Sequence, residues 1–208
     1  MSQNPLNGNH VIFIHPDGTT PSHYAFARFV DKGPDGRLNW DKLEKTGVYL
    51  GHMEDQLVGT SNSGAVTHAT GAKAYAESFG FDKENLPIVS LDGSNKTIVE
   101  AARDAGKVTA LVQSGAISEP GTAAFVAKTN QISSTVPLAQ AAEIAKQVIL
   151  SGVDFIMGGG ELNLLPVGTN GFHRTAAQLD SLSRSSLSCP KVTASKNDMA
   201  SANQVGRF

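Results

Sequence analysis

Four places in the chain combine residue types and spacing that could do chemistry. Asp17 closes the run "VIFIHPDG". A carboxylate just past the end of a buried strand is placed to ligate a divalent cation, because carboxylate oxygen suits Mg2+ and also Zn2+. An Asp-Gly turn, with the aspartate satisfying backbone amides, is the plainer local reading. Ser61 lies in "GTSNSGAVTHATGAK", where a turn enters a helix. Amides at such a point face outward, and the helix dipole favours an anion. A hydroxyl there could attack a phosphoryl group whose charge those amides stabilise. Serine is also an ordinary N-cap, and local features alone favour that role. Glu119, in "ISEPGT", is either a metal ligand or an acid placed in a first helical turn by the dipole. The glycines of "GGGE" let the backbone turn sharply or approach a ligand, and a tight connection is the simpler account. The six histidines show neither H-x-x-x-H spacing nor an Asp-His pair, so no zinc finger or Ser–His–Asp series can be assembled.

Placing these residues requires regular elements. Val11–Ile14 is a short apolar run and predicts a strand buried on both faces. A second strand is expected at Thr46–Met53, a third at Lys107–Gln113 and a fourth at Val153–Glu161. Apolar spacing, proline starts and glycine stops predict helices at Pro21–Val30, Lys96–Gly106, Glu119–Thr129 and Val136–Gly152. A further helix should run from about Ser61 to Ala76, with Gly64, Ala65, Ala69 and Ala72 allowing close approach to its neighbours. Strands alternating with helices imply an α/β fold with a mostly parallel sheet. Right-handed crossovers would bring Asp17, Ser61 and Glu119 to one sheet edge.

The bulk numbers narrow the class. A chain of 208 residues suits one medium domain or a compact piece of a larger one. A net charge of −2 argues against an electrostatic nucleic-acid or membrane-surface binder. No window approaches a transmembrane span. "MSQNPLNGNH" has no basic n-region and no apolar h-region, so no signal peptide is read there. Cys189 is the only cysteine, which excludes an intrachain disulfide. From residue 174 to 208 the chain is serine-rich with little apolar periodicity and reads as a divergent or disordered tail.

The order of the motifs carries more than any one of them. "VIFIHPDG", then "TSNSGAVTHATGAK", then "EPGTAAFVA" and "VDFIMGGGE" closely resemble the N-terminal half of an alkaline phosphatase, from about His10 to Phe172. The resemblance implies that Asp17 binds metal and that Glu119 is the acid of the magnesium site. Gly71 follows Ser61 by the family's serine-to-glycine spacing, so Ser61 is implied as the phosphorylated nucleophile. Thr60 stands where an aspartate is usual, and it is the alternative nucleophile. Gly121 replaces a metal-binding threonine, with Thr122 adjacent. The arginine that clamps phosphate is absent, and Lys128 is the cation left in that region as the substrate-binding candidate.

The implied chemistry is phosphomonoester hydrolysis with Zn2+ and Mg2+ through a phosphoserine or phosphothreonine intermediate. The implied fold is a mostly parallel central sheet flanked by helices, with residues 1–173 as its N-terminal portion. The resemblance also implies a periplasmic or secreted location and allows a homodimer. Its later D-x-x-x-H, D-H and histidine zinc ligands would fall beyond the end of the chain. The expectation is therefore a truncated chain with an incomplete sheet and exposed apolar surface. A catalytically inactive homologue that only binds phosphate is the rival expectation.

Overall fold

The computed structural model describes residues 10–130 and 138–160. Asp17 and Lys128 fall within these, whereas Glu161 and the tail lie outside them. The chain divides into two compact units, Met1–Leu50 and Gly51–Phe208.

In the first unit, α1 spans Pro21–Lys32, with proline at its start and Gly33 beyond its end at φ 74°. A 3-10 turn, Trp40–Lys42, follows. Its Asp41 carboxylate receives the Arg28 Nε at 2.8 Å, a second Arg28 nitrogen and the Leu38 amide at 2.8 Å. Trp40 meets Tyr24 edge-on, with ring centroids 5.0 Å apart. The predicted strands at Val11–Ile14 and Thr46–Met53 do not form. A run buried on both faces needs ladder partners and cover on each side. Val11–Ile14 joins no ladder, and its side chains are 59–82% exposed.

The second unit is built on α2 (Ser61–Thr70), α3 (Ile98–Asp104), β1 (Ala110–Ala116), α4 (Pro120–Ala123), α5 (Leu138–Leu150) and β2 (Phe155–Gly159). β1 and β2 pair in parallel, Ala110 opposite Phe155 and Ala116 opposite Gly159, with an irregularity after Val112. Asp154 fastens the start of this ladder: its Oδ2 accepts from the Thr109 amide at 2.9 Å and the Thr109 hydroxyl at 3.3 Å. The predicted helix at 61–76 stops at Thr70 because Gly71 turns into the left-handed region, φ 73°. The helix expected over Glu119–Thr129 shrinks to one turn, and the strand expected at Lys107 begins at Ala110.

Small side chains set the packing. Ala65, Val66 and Ala69 of α2 lie in one core with Ala123–Ala127, Leu111, Ile144 and Val148. Burying a side chain such as Val66 or Phe79 contributes on the order of 2 kcal/mol. Thr97 caps α3 in a capping box with Glu100, whose Oε2 accepts from the Thr97 amide at 2.8 Å. The buried Thr97 hydroxyl donates in turn to the Phe125 carbonyl, which ties α3 to the segment after α4. The expected exposed apolar surface is present: Val108 is 87% and Val112 61% exposed.

The Arg28 hydrogen bonds hold the Asp41 carboxyl down at about 2, against 3.8 for the free group. A depressed carboxylate adds stability that is present above 3.8 and lost as pH falls towards 2. Emission of Trp40, the single tryptophan, should therefore change in that acid range. Asp41→Asn should remove the transition; an unchanged acid profile in that variant would refute the assignment.

Candidate active site

The segment before α2 is stitched to the segment that follows it. The Glu54 amide donates to the Ala74 carbonyl at 3.0 Å, and Asp55 Oδ1 accepts from the Ala76 amide at 2.8 Å. Lys73 Nζ donates to the His52 carbonyl. Thr60 completes the stitching as the N-cap, with extended φ and ψ of −112° and 164°. Its single hydroxyl proton goes to the Ala76 carbonyl. Its oxygen accepts from the Ser63 amide at 3.4 Å, and it lies 2.9 Å from the Ser63 hydroxyl, which donates to Met53 Sδ.

Ser61 is therefore not the N-cap that local features favoured. It is the first residue of α2, exposed, and its hydroxyl has no partner among the described residues. The amides of Ser61 and Asn62 have no carbonyl behind them within the helix, as at every helix start. Gly64 lies three residues further on, and a Cβ there would meet nothing within 4 Å. The expectation that Gly64 permits close packing is thus not met, whereas Ala65 and Ala69 are buried as expected. Gly64→Ala should raise stability by about 0.5–1 kcal/mol, read as a higher Tm. A lower Tm would show a steric demand on that face.

Glu119 lies past the C-terminal end of β1 and is the N-cap of α4, a helix in contact with α2. Its side chain makes no capping bond. Instead its Oε2 accepts from Gln113 Nε2 at 3.1 Å. The same Nε2 donates to the Ala116 carbonyl at 3.0 Å, and the Thr122 hydroxyl donates to Gln113 Oε1 at 2.6 Å. A Cβ on Gly115 would stand 2.4 Å from Glu119 Oε2. The glycines of β2 serve the adjacent contact. A Cβ on Gly158 would stand 2.6 Å from an Ile117 methyl, and one on Gly159 3.2 Å from the Gly115 carbonyl. The tight-connection account of these glycines fits that geometry.

Asp17 belongs to the first unit and sits in a turn closed by Thr19 N to Pro16 O at 3.2 Å, with Gly18 at φ 66°. Its carboxylate has no partner among the described residues. Lys128, partly buried, donates from Nζ to the Asn95 carbonyl at 2.6 Å and lies 3.7 Å from Glu100 Oε2. Its ammonium is thus engaged beside the α3 cap. Gln113 and Asp55 escaped the sequence reading; a polar side chain inside the strand run "ALVQSGA" was the one available signal for Gln113.

Among the described residues no three His, Cys, Asp or Glu side chains converge on a metal position. That donor set does not fit a protein-held zinc centre, which takes three or four such ligands. It does fit one contact to Mg2+, which keeps several waters and needs only one or two carboxylates. Glu119 offers that oxygen.

With this geometry the chain can be compared with known proteins. The alkaline phosphatase family model matches residues 8–181, which is most of the chain and runs past Phe172, where the motif resemblance was expected to end. The chain belongs to the alkaline phosphatase family. It is 27% identical over 162 residues to a repressible alkaline phosphatase of Saccharomyces cerevisiae, covering 76% of this chain and 27% of that protein. It is 26% identical over 184 residues to a streptomycin-6-phosphate phosphatase of Streptomyces griseus, covering 80% and 40% respectively. The chain thus spans well under half the length of these relatives. A cold-active alkaline phosphatase from a Shewanella species shares the fold at TM-score 0.61 and 22% identity, over 81% of this chain and 38% of that one. A variant of the alkaline phosphatase from the Antarctic bacterium TAB5, with magnesium bound, matches at TM-score 0.59 and 23% identity, over 77% and 41%. The expected α/β architecture with a parallel sheet flanked by helices is borne out.

Lys128→Met should lower the Tm, since a partly buried, charged hydrogen bond to Asn95 contributes roughly 1.5–3 kcal/mol. An unchanged Tm would show that this contact carries no stability.

Proposed function

We propose that this chain hydrolyses phosphoric monoesters by the alkaline phosphatase route, with Ser61 as the phosphoryl acceptor. The observation that carries the choice of Ser61 is the division of labour at the start of α2. Thr60 has committed its only proton to Ala76, while the exposed Ser61 hydroxyl is uncommitted. In the first half-reaction Ser61 Oγ bonds to phosphorus, the ester P–O bond breaks, and the alcohol leaves with a proton. Water then attacks phosphorus, releases inorganic phosphate and restores the serine. The outward amides of Ser61 and Asn62 face the non-bridging oxygens and stabilise the charge that develops on them. When bound, Mg2+ supplies further positive charge, and Glu119 is its proposed ligand, with Asp17 a second metal-binding acid in the first unit. The two zinc ions of the resemblance would need donors beyond the described residues, and no step is assigned to them.

Lys128 is the proposed cation for the substrate phosphate. It would exchange the Asn95 carbonyl for a phosphate oxygen on binding. A second reading, a catalytically inactive homologue that binds phosphate, draws on the absence of a three-ligand metal cluster among the described residues.

Turnover of an aryl phosphate with Mg2+ and Zn2+, followed by acid quenching, tests these assignments. The wild-type chain should trap labelled phosphate on protein. Ser61→Ala should trap none, whereas Thr60→Ala should keep the label and lose about 1 kcal/mol of stability with its cap. Label lost only in Thr60→Ala would transfer the role to Thr60 as phosphothreonine. Phosphate binding without label or turnover would establish the inactive reading. Lys128→Met should raise KM, and an unchanged KM would leave Lys128 a purely structural cation.

A further inference from the structure

We propose that Gln113 is a positioning residue, which holds the Glu119 carboxylate across Gly115 with one oxygen turned out to a hard divalent cation. This rests on Glu119 being a metal-site acid, and it assigns the residues that aim it.

Three observations converge. First, Glu119 occupies an N-cap position yet does not cap. The orphan amides of α4 are beside it, but its Oε2 goes to Gln113 Nε2 instead. Its backbone is pinned on both sides, the amide to the Ala116 carbonyl at 2.9 Å and the carbonyl from the Ala123 amide at 3.1 Å. The other oxygen, Oε1, has no partner among the described residues.

Second, the amide of Gln113 can sit only one way round. Its NH2 faces two acceptors, the Ala116 carbonyl and Glu119 Oε2, and its carbonyl faces the Thr122 hydroxyl. Turning the amide over would put an oxygen against two oxygens. The Ala116 carbonyl therefore sets which way round the Gln113 amide sits, the Thr122 hydroxyl holds its other end, and Gln113 in turn holds Glu119. The donor is also neutral. A lysine or arginine would orient the carboxylate but cancel its charge, whereas an amide orients it and leaves the full charge for a cation. Among the described residues Glu119 has no ion-pair partner.

Third, the space is made for it. Only glycine at 115 leaves room for Oε2, because a Cβ would stand 2.4 Å from that oxygen and 3.3 Å from Gln113 Nε2. Neutral donors behind a carboxylate with one unpartnered oxygen match the outer-shell pattern that tunes a metal ligand.

The test titrates the 208-residue chain with Mn2+, a hard paramagnetic substitute for Mg2+, and follows the free ion by electron paramagnetic resonance. Gln113→Leu should weaken Mn2+ binding about 10–100-fold. It should cause no further loss in a Glu119→Gln background. Gly115→Ala keeps every hydrogen-bonding group and should weaken binding too, by displacing Glu119. If Glu119→Gln abolishes binding but Gln113→Leu and Gly115→Ala bind Mn2+ as wild type does, the positioning role is wrong and the ligand role stands. If Glu119→Gln leaves binding intact, or wild type binds no Mn2+, both are wrong. A Tm loss in Gln113→Leu with unaltered Mn2+ affinity would make Gln113 a structural residue and overturn the proposal.

Discussion

The hydrogen bond from the Thr60 hydroxyl to the Ala76 carbonyl is the constraint on which the candidate site depends. It joins the entry of α2 to the chain that leaves α2, so the helix start cannot swing away from its own exit segment. The neighbouring bonds of Asp55 and Glu54 to Ala76 and Ala74 reinforce the same seam. A threonine suits this task because one hydroxyl can accept from a helix amide and donate to a carbonyl at once. The residue after it is then left with nothing to satisfy, and a serine there keeps its proton available. The capping hydroxyl and the uncommitted hydroxyl thus belong to adjacent residues.

The fold was legible where local patterning decides the outcome. Pro21 and Gly33 bracket α1, Thr97 and Gly106 bracket α3, and Gly152 follows α5, each by a mechanism visible in the residue types. It was not legible where the outcome depends on partners distant in the chain. Val11–Ile14 has the composition of a central strand, but composition does not supply a ladder neighbour. Gly71 ended α2 earlier than the alanine content suggested, since a left-handed glycine outweighs propensity.

The site divides in the same way. Ser61 and Glu119 could be put forward as candidates from spacing and motif order. Their surroundings could not, because the Thr60–Ala76 bond and the Gln113–Glu119 bond link residues that no sequence period relates. Gly115 looked like one more glycine near a strand end. Only the position of Glu119 Oε2 gives it a reason to be glycine.

The Asp154–Thr109 clasp has a consequence for how the second unit assembles. It joins residues 45 positions apart, at the very start of a parallel pair that no short hairpin can close. The chain must surrender the freedom of that long loop before the first rung of the ladder exists. Helices α3 and α5 close their hydrogen bonds between near neighbours in the chain, whereas the strand register is fixed only when the ends meet. Forming this ladder therefore carries the closure entropy of that loop, and the two Asp154 hydrogen bonds offset part of it at the first rung.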